Sequence, residues 1–117
     1  MTERRIYRGS CHCGAVNFEA LTDPGHSVVC DCSLCRRRGA AMLRCHEDEL
    51  RILSGEDNLA CYQFNTQVAR HYFCKTCGVY TFHKMRKLPD KFGINAGCLE
   101  GVDPFALTPE RVEGSKR

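Results

Sequence analysis

Seven of the ten cysteines in the chain fall into three tight clusters, Cys11-His12-Cys13, Cys30-Asp31-Cys32-Ser33-Leu34-Cys35 and Cys74-Lys75-Thr76-Cys77-Gly78. No other feature constrains the fold as strongly. Thiols two or three residues apart seldom reach disulfide geometry with each other, yet the same spacing lets both sulfurs point at one ion about 2.3 Å away. A disulfide scaffold is the competing reading, and it requires an oxidising compartment. The stretch from Met1 to Tyr7 lacks the apolar run of a secretory signal, and no later segment approaches a membrane span. The expectation is therefore a cytoplasmic protein with no membrane partner, whose clustered thiols bind metal or act chemically.

The ligand count is itself informative. Two tetrahedral ions need eight ligands, and the clusters supply seven. Cys30, Cys32 and Cys35 lie within six residues and can wrap one ion, leaving a fourth position for water or substrate. The pairs Cys11/Cys13 and Cys74/Cys77, separated by most of the chain, make one closed site that staples an early strand to a late turn. On a strand, residues i and i+2 face the same side, which suits Cys11 and Cys13. In Cys-x-x-Cys-Gly, Gly78 can take positive φ while backbone amides bond the sulfurs, and Gly14 suits the same role after Cys13. Two zinc ions per chain are expected. Iron also accepts all-thiolate sites, but the spacing is not that of an iron–sulfur protein.

At 117 residues the chain reads as one domain, residues 1–117, with a core over about 6–102 and a polar tail over 103–117. That tail is either loosely attached or a contact with a second subunit, so a homo-oligomer stays open. Alternation or β-prone composition marks strands over residues 15–20, 27–29, 59–64, 70–73, 79–82 and 92–96. Residues 47–53 form the best helical candidate, or else a turn entering a strand. Turn signals sit at 23–25, 54–58 and 88–90. The fold class is mainly β, a zinc-stabilised domain of short antiparallel sheets. The formal charge of +3 is cancelled once seven thiolates and two divalent ions are counted, so net charge gives no support to a nucleic-acid partner and none is expected.

At these clusters the chain resembles the glutathione-dependent formaldehyde-activating (GFA) family, also called the CENP-V/GFA domain. The residues that carry the likeness are Gly9-Ser10-Cys11-His12-Cys13-Gly14-Ala15-Val16, Cys30-Asp31-Cys32-Ser33-Leu34-Cys35-Arg36, Gly39-Ala40, Phe73-Cys74-Lys75-Thr76-Cys77-Gly78 and Ile94-Asn95-Ala96-Gly97-Cys98-Leu99. The resemblance implies a β-tent fold. It implies a structural zinc on Cys11, Cys13, Cys74 and Cys77, and a catalytic zinc on Cys30, Cys32 and Cys35. It also implies carbon–sulfur lyase chemistry, typified by adding formaldehyde to glutathione to give S-hydroxymethylglutathione. The alternative class is a non-catalytic zinc-stabilised module that binds a protein or nucleic acid, for which an open metal position would serve no purpose.

Glutathione carries two carboxylates, so cationic donors are expected near the open site. Arg36, Arg37 and Arg38 are the first candidates, with Arg70, His71 and Lys75 behind them. His12 should face away from the metal; His26, His46, His71 and His83 carry no pairing signal. Cys45, Cys61 and Cys98 read as lone buried thiols, with Cys98 a minor candidate for the active cleft. Tyr62, Phe64, Tyr72 and Phe82 read as core rather than as a stacking platform.

Overall fold

The computed structural model describes residues 4–64, 67–86 and 88–116; the extreme ends of the 1–117 span lie outside them. It is mainly β. The strands are β1 (Arg5–Ser10), β2 (Asn17–Thr22), β3 (Ser27–Cys30), β4 (Met42–His46), β5 (Leu50–Ser54), β6 (Leu59–Tyr62), β7 (Arg70–Cys74), β8 (Tyr80–Lys84), β9 (Lys91–Asn95) and β10 (Glu110–Val112), with one short helix, α1 (Ser33–Arg38). β1, β2 and β5 form a small sheet, and the other seven pair in the order β10-β3-β4-β9-β8-β7-β6. Every pairing is antiparallel except β10 with β3, which is parallel.

The two sheets face each other across the core. In β2 the alternate residues Phe18, Ala20 and Thr22 are buried, and Phe18 and Ala20 meet Leu43 and Cys45 of β4, Phe82 of β8 and Ile94 of β9. The ring of Phe18 stands edge-on to that of Phe82 at 5.2 Å between centroids, a favoured aromatic geometry. Gly9 of β1 lies under the Phe18 ring, where a β-carbon would come within 2.5 Å of it, so only glycine lets the small sheet close this tightly.

Residues 47–49 form a single 3₁₀ turn that leads into β5, which decides the ambiguity over 47–53 in favour of the strand. β1, β4, β10 and α1 were not among the expected elements. Helix α1 is six residues long, too short to show a period. The C-terminal segment returns to the chain's own sheet as β10. There Arg111 pairs with Asp31 at 2.9 Å, and the Asp31 carboxylate accepts the Ser115 amide at 2.9 Å. This places the end of the chain beside the second cysteine cluster.

Candidate metal centres and the cavity between them

The first centre gathers Cys11, Cys13, Cys74 and Cys77, whose sulfurs all lie within 4.8 Å of one another. Thiolates about 2.3 Å from a tetrahedral ion stand about 3.8 Å apart. The Cys11–Cys13 and Cys13–Cys74 sulfur separations are both 3.6 Å, so the donor set fits such an ion. Two like-built turns create it. β1 ends at Ser10 and β7 at Cys74, and each next turn carries a glycine at positive φ, Gly14 (82°) and Gly78 (75°). Cys11 and Cys13 therefore converge through a turn, not through strand alternation, because β1 stops one residue short of them. The amides of Val16 and Thr76 donate to the sulfurs of Cys11 (3.3 Å) and Cys74 (3.4 Å). The side-chain amide of Asn58 adds a bond to Cys74 Sγ at 3.3 Å that the sequence did not suggest. Amide donors, that of Cys77 foremost, hold the Cys74 thiol down to about 6, so it is poised as a thiolate at neutral pH.

The second centre is Cys30, Cys32 and Cys35, again with sulfurs within 4.8 Å of one another. Cys30 ends β3, and Cys32 is the N-cap of α1, its sulfur accepting from the Cys35 amide at 3.3 Å where Ser or Asp would usually sit. Gly39 (φ 64°) stops the helix one turn later, its amide bonding Cys35 O at 2.8 Å. Gly114 roofs the cluster, and a β-carbon there would collide with Cys30 Sγ. Burial pushes the Cys35 thiol up to about 12 against the opposing charge of Arg38. A bound cation would favour the thiolate form of this sulfur, as expected of a metal ligand.

The three sulfurs open on a cavity of about 170 Å³. A line of registered residues crosses five strands, Arg44 of β4, Gly93 of β9, His83 of β8, His71 of β7 and Tyr62 of β6, and the first four form the cavity floor. Because alternate residues of a strand share a face, these lie opposite the core-facing Leu43, Ile94 and Phe82. Gly93 is required here, since a β-carbon would strike the His83 ring. The rings stack in a column, His83 on His71 at 5.1 Å, His71 on Phe64 at 5.8 Å and Phe64 on Tyr62 at 5.8 Å. Burial, reinforced by the charge of Arg38, lowers His71 to about 4 and His83 to about 3, so both imidazoles are neutral at physiological pH.

Of the arginine run, Arg36 and Arg37 are exposed on α1, and neither lines this cavity. Arg38 turns inward. Its guanidinium lies 3.6 Å over the Tyr80 ring and donates to Cys35 Sγ at 3.3 Å and to His71 Nδ1 at 3.1 Å. The arginines on the cavity wall are Arg44 and Arg86, which no local motif had marked. Arg70 and Lys75 are exposed, and His71 belongs to the cavity as a neutral ring instead of a cation. Phe82 is core, as expected. Tyr62, half exposed on the edge strand β6, and Phe64 just beyond it instead extend the stack. Cys45 is buried in the core, Cys61 is exposed, and Cys98 bonds Tyr80 O at 3.5 Å without lining the cavity.

The chain matches the family described as glutathione-dependent formaldehyde-activating enzyme over residues 6–112. It is 30% identical over 116 residues to a Halomonas elongata protein named "Putative glutathione-dependent formaldehyde-activating enzyme", an alignment that spans 92% of this chain and 73% of that one. A crystal structure of a Rhodobacter sphaeroides protein superimposes with a TM-score of 0.85 at 44% identity, covering 89% of this chain and 97% of that one.

Proposed function

Because the chain belongs to the glutathione-dependent formaldehyde-activating enzyme family, we propose that it is a zinc-dependent carbon–sulfur lyase. It would add a small thiol such as glutathione to formaldehyde or a related aldehyde and, in reverse, cleave the S-hydroxymethyl adduct. The observation that carries this reading is a three-cysteine cluster, one ligand short of a tetrahedron, facing a cavity lined by arginine and neutral imidazole. A zinc ion held by Cys30, Cys32 and Cys35 would supply Lewis-acid chemistry that lowers the pKa of a thiol toward its nucleophilic thiolate.

The chain's own residues divide the remaining work. The amides of Cys32 and Cys35 donate to the sulfurs of Cys30 and Cys32, and the Arg38 guanidinium donates to that of Cys35, spreading the charge that three thiolates concentrate. Arg44 and Arg86 take over from the Arg36–Arg38 run as the preferred anchors for the carboxylates of the thiol substrate. Val28, Met42 and Phe64 give the cavity an apolar wall beside these polar groups.

Thiols and formaldehyde combine unaided, so the test must separate catalysis from the spontaneous reaction. Exchange of carbon-13-labelled formaldehyde with S-hydroxymethylglutathione, followed by magnetization-transfer NMR, does so. The expected result is a protein-dependent exchange rate that Cys32→Ser abolishes and that Arg44→Ala/Arg86→Ala reaches only at higher glutathione concentration. Exchange no faster than in buffer would overturn the proposal.

A further inference from the structure

His71 has two distinct ring nitrogens, and its neighbours settle which of them holds the proton. Nδ1 lies 3.1 Å from Nη1 of Arg38. A guanidinium can only donate, so Nδ1 accepts; in a neutral ring the proton then resides on Nε2. Nε2 bonds no described residue, and it is not enclosed among the buried polar atoms that lack partners. The ring is held from both sides by His83 at 5.1 Å and Phe64 at 5.8 Å, and it forms part of the wall shared with Cys30, Cys32 and Cys35. The same guanidinium that fixes Nδ1 also bonds Cys35 Sγ, which ties the ring's orientation to the metal cluster. The result is a preorganised neutral N–H donor with no hydrogen-bond partner among the described residues, on a ring that lines the cavity where carbon–sulfur bonds would form.

We propose that His71 is a further catalytic residue, whose Nε2–H holds the aldehyde oxygen and stabilises the alkoxide formed on it; the inference rests on the thiol–aldehyde reading above. When the thiolate sulfur attacks, the carbon–sulfur bond forms as the carbonyl π bond breaks and its electron pair moves to oxygen. The oxyanion accepts a hydrogen bond from Nε2–H and then takes a proton from water, matching the proton that the thiol released to solvent. In reverse, the hydroxyl loses its proton to water, the alkoxide collapses to the carbonyl, and the sulfur leaves as thiolate. His71 keeps its own proton throughout, as a fixed dipole aimed at charge that develops only in the transition state. His83 acts behind it as a positioning residue. Its Nδ1 is engaged with the Tyr80 hydroxyl at 2.6 Å, and its ring supports that of His71.

Two variants separate this role from mere packing. His71→Phe keeps a stacking ring without a donor, and His71→Gln restores an N–H near the Nε2 position. The measurements are the formaldehyde exchange rate at saturating S-hydroxymethylglutathione, the affinity for S-methylglutathione, which lacks the hydroxyl, and the metal content. Removing one such donor typically costs about 100-fold in the catalysed rate. The expected result is a loss of that order for His71→Phe, partial recovery in His71→Gln, and unchanged S-methylglutathione affinity and metal content in both. In the wild type, nitrogen-15 NMR should show a proton on His71 Nε2 that shifts on adding the hydroxymethyl adduct but not the methyl one. A His71→Phe variant that exchanges formaldehyde at the wild-type rate, or that loses S-methylglutathione affinity in the same proportion, overturns the inference and leaves the proposed function standing. A wild-type protein with no exchange above buffer overturns both.

Discussion

Two neutral histidines on the face of a sheet make the protein sensitive to acid at the level of single residues. His71 and His83 ordinarily titrate at 6.5, and burial with the Arg38 charge lowers them to about 4 and about 3. Below 6.5 the unfolded chain binds protons that the folded chain refuses, so unfolding gains protons and is favoured as the pH falls. The stability contributed by keeping both rings neutral is fully present above 6.5 and is lost progressively down to the folded values. We expect the C2–H resonances of both rings to stay constant down to about pH 5 while the thermal midpoint already declines from about pH 6.5 downward. Metal content measured at each pH separates this from protonation of the ligands. Rings that titrate near 6.5 in the native protein would contradict it.

Among the elements, the two cysteine groups differ in what they join. The four-cysteine centre connects the turn after β1 with the turn after β7, in different sheets and far apart in sequence, and Cys11, Cys74 and Cys77 sit among Val16, Leu59 and Val79. The three-cysteine centre links only β3 to the start of α1, with β10 alongside. Metal held at the first site is therefore coupled to global folding, and metal at the second to a local turn. Cys77→Ser should unfold the chain or cost several kcal/mol, a large part of the 5–15 kcal/mol typical of a domain. Cys32→Ser should keep the fold and the cooperative transition while losing one metal. Circular dichroism with elemental analysis reads both, and a Cys77→Ser protein as stable as wild type would contradict the assignment.

For the molecule as a whole, the two centres predict a composition that can be weighed. Freshly purified protein should contain close to two zinc ions per chain. Mild chelation should remove one, and glutathione should slow that removal by occupying the open position. Elemental analysis before and after chelation checks this. A single tightly held ion indifferent to glutathione would instead favour the non-catalytic module.

The sequence by itself marked the seven clustered cysteines as candidate ligands and suggested their division into four and three, the two groups whose sulfurs the fold brings together, because cysteine spacing is a local property that tight turns conserve. It also showed most of the strands, since alternation reports which residues face a core: Phe18 and Ala20 of β2 are buried as that pattern requires. It missed α1, whose six residues are organised by a cysteine cap and a terminal glycine and not by a period. The helix then turned Arg38 away from solvent, which no charge count could show. The cavity floor was decided by tertiary structure alone. Arg44, His71, His83 and Gly93 are spread over about fifty residues and meet only through strand register. Register depends on which strands pair and on what the opposite face must bury. A lone histidine in a sequence carries no sign of the arginine that will fix its tautomer or of the rings that will hold it.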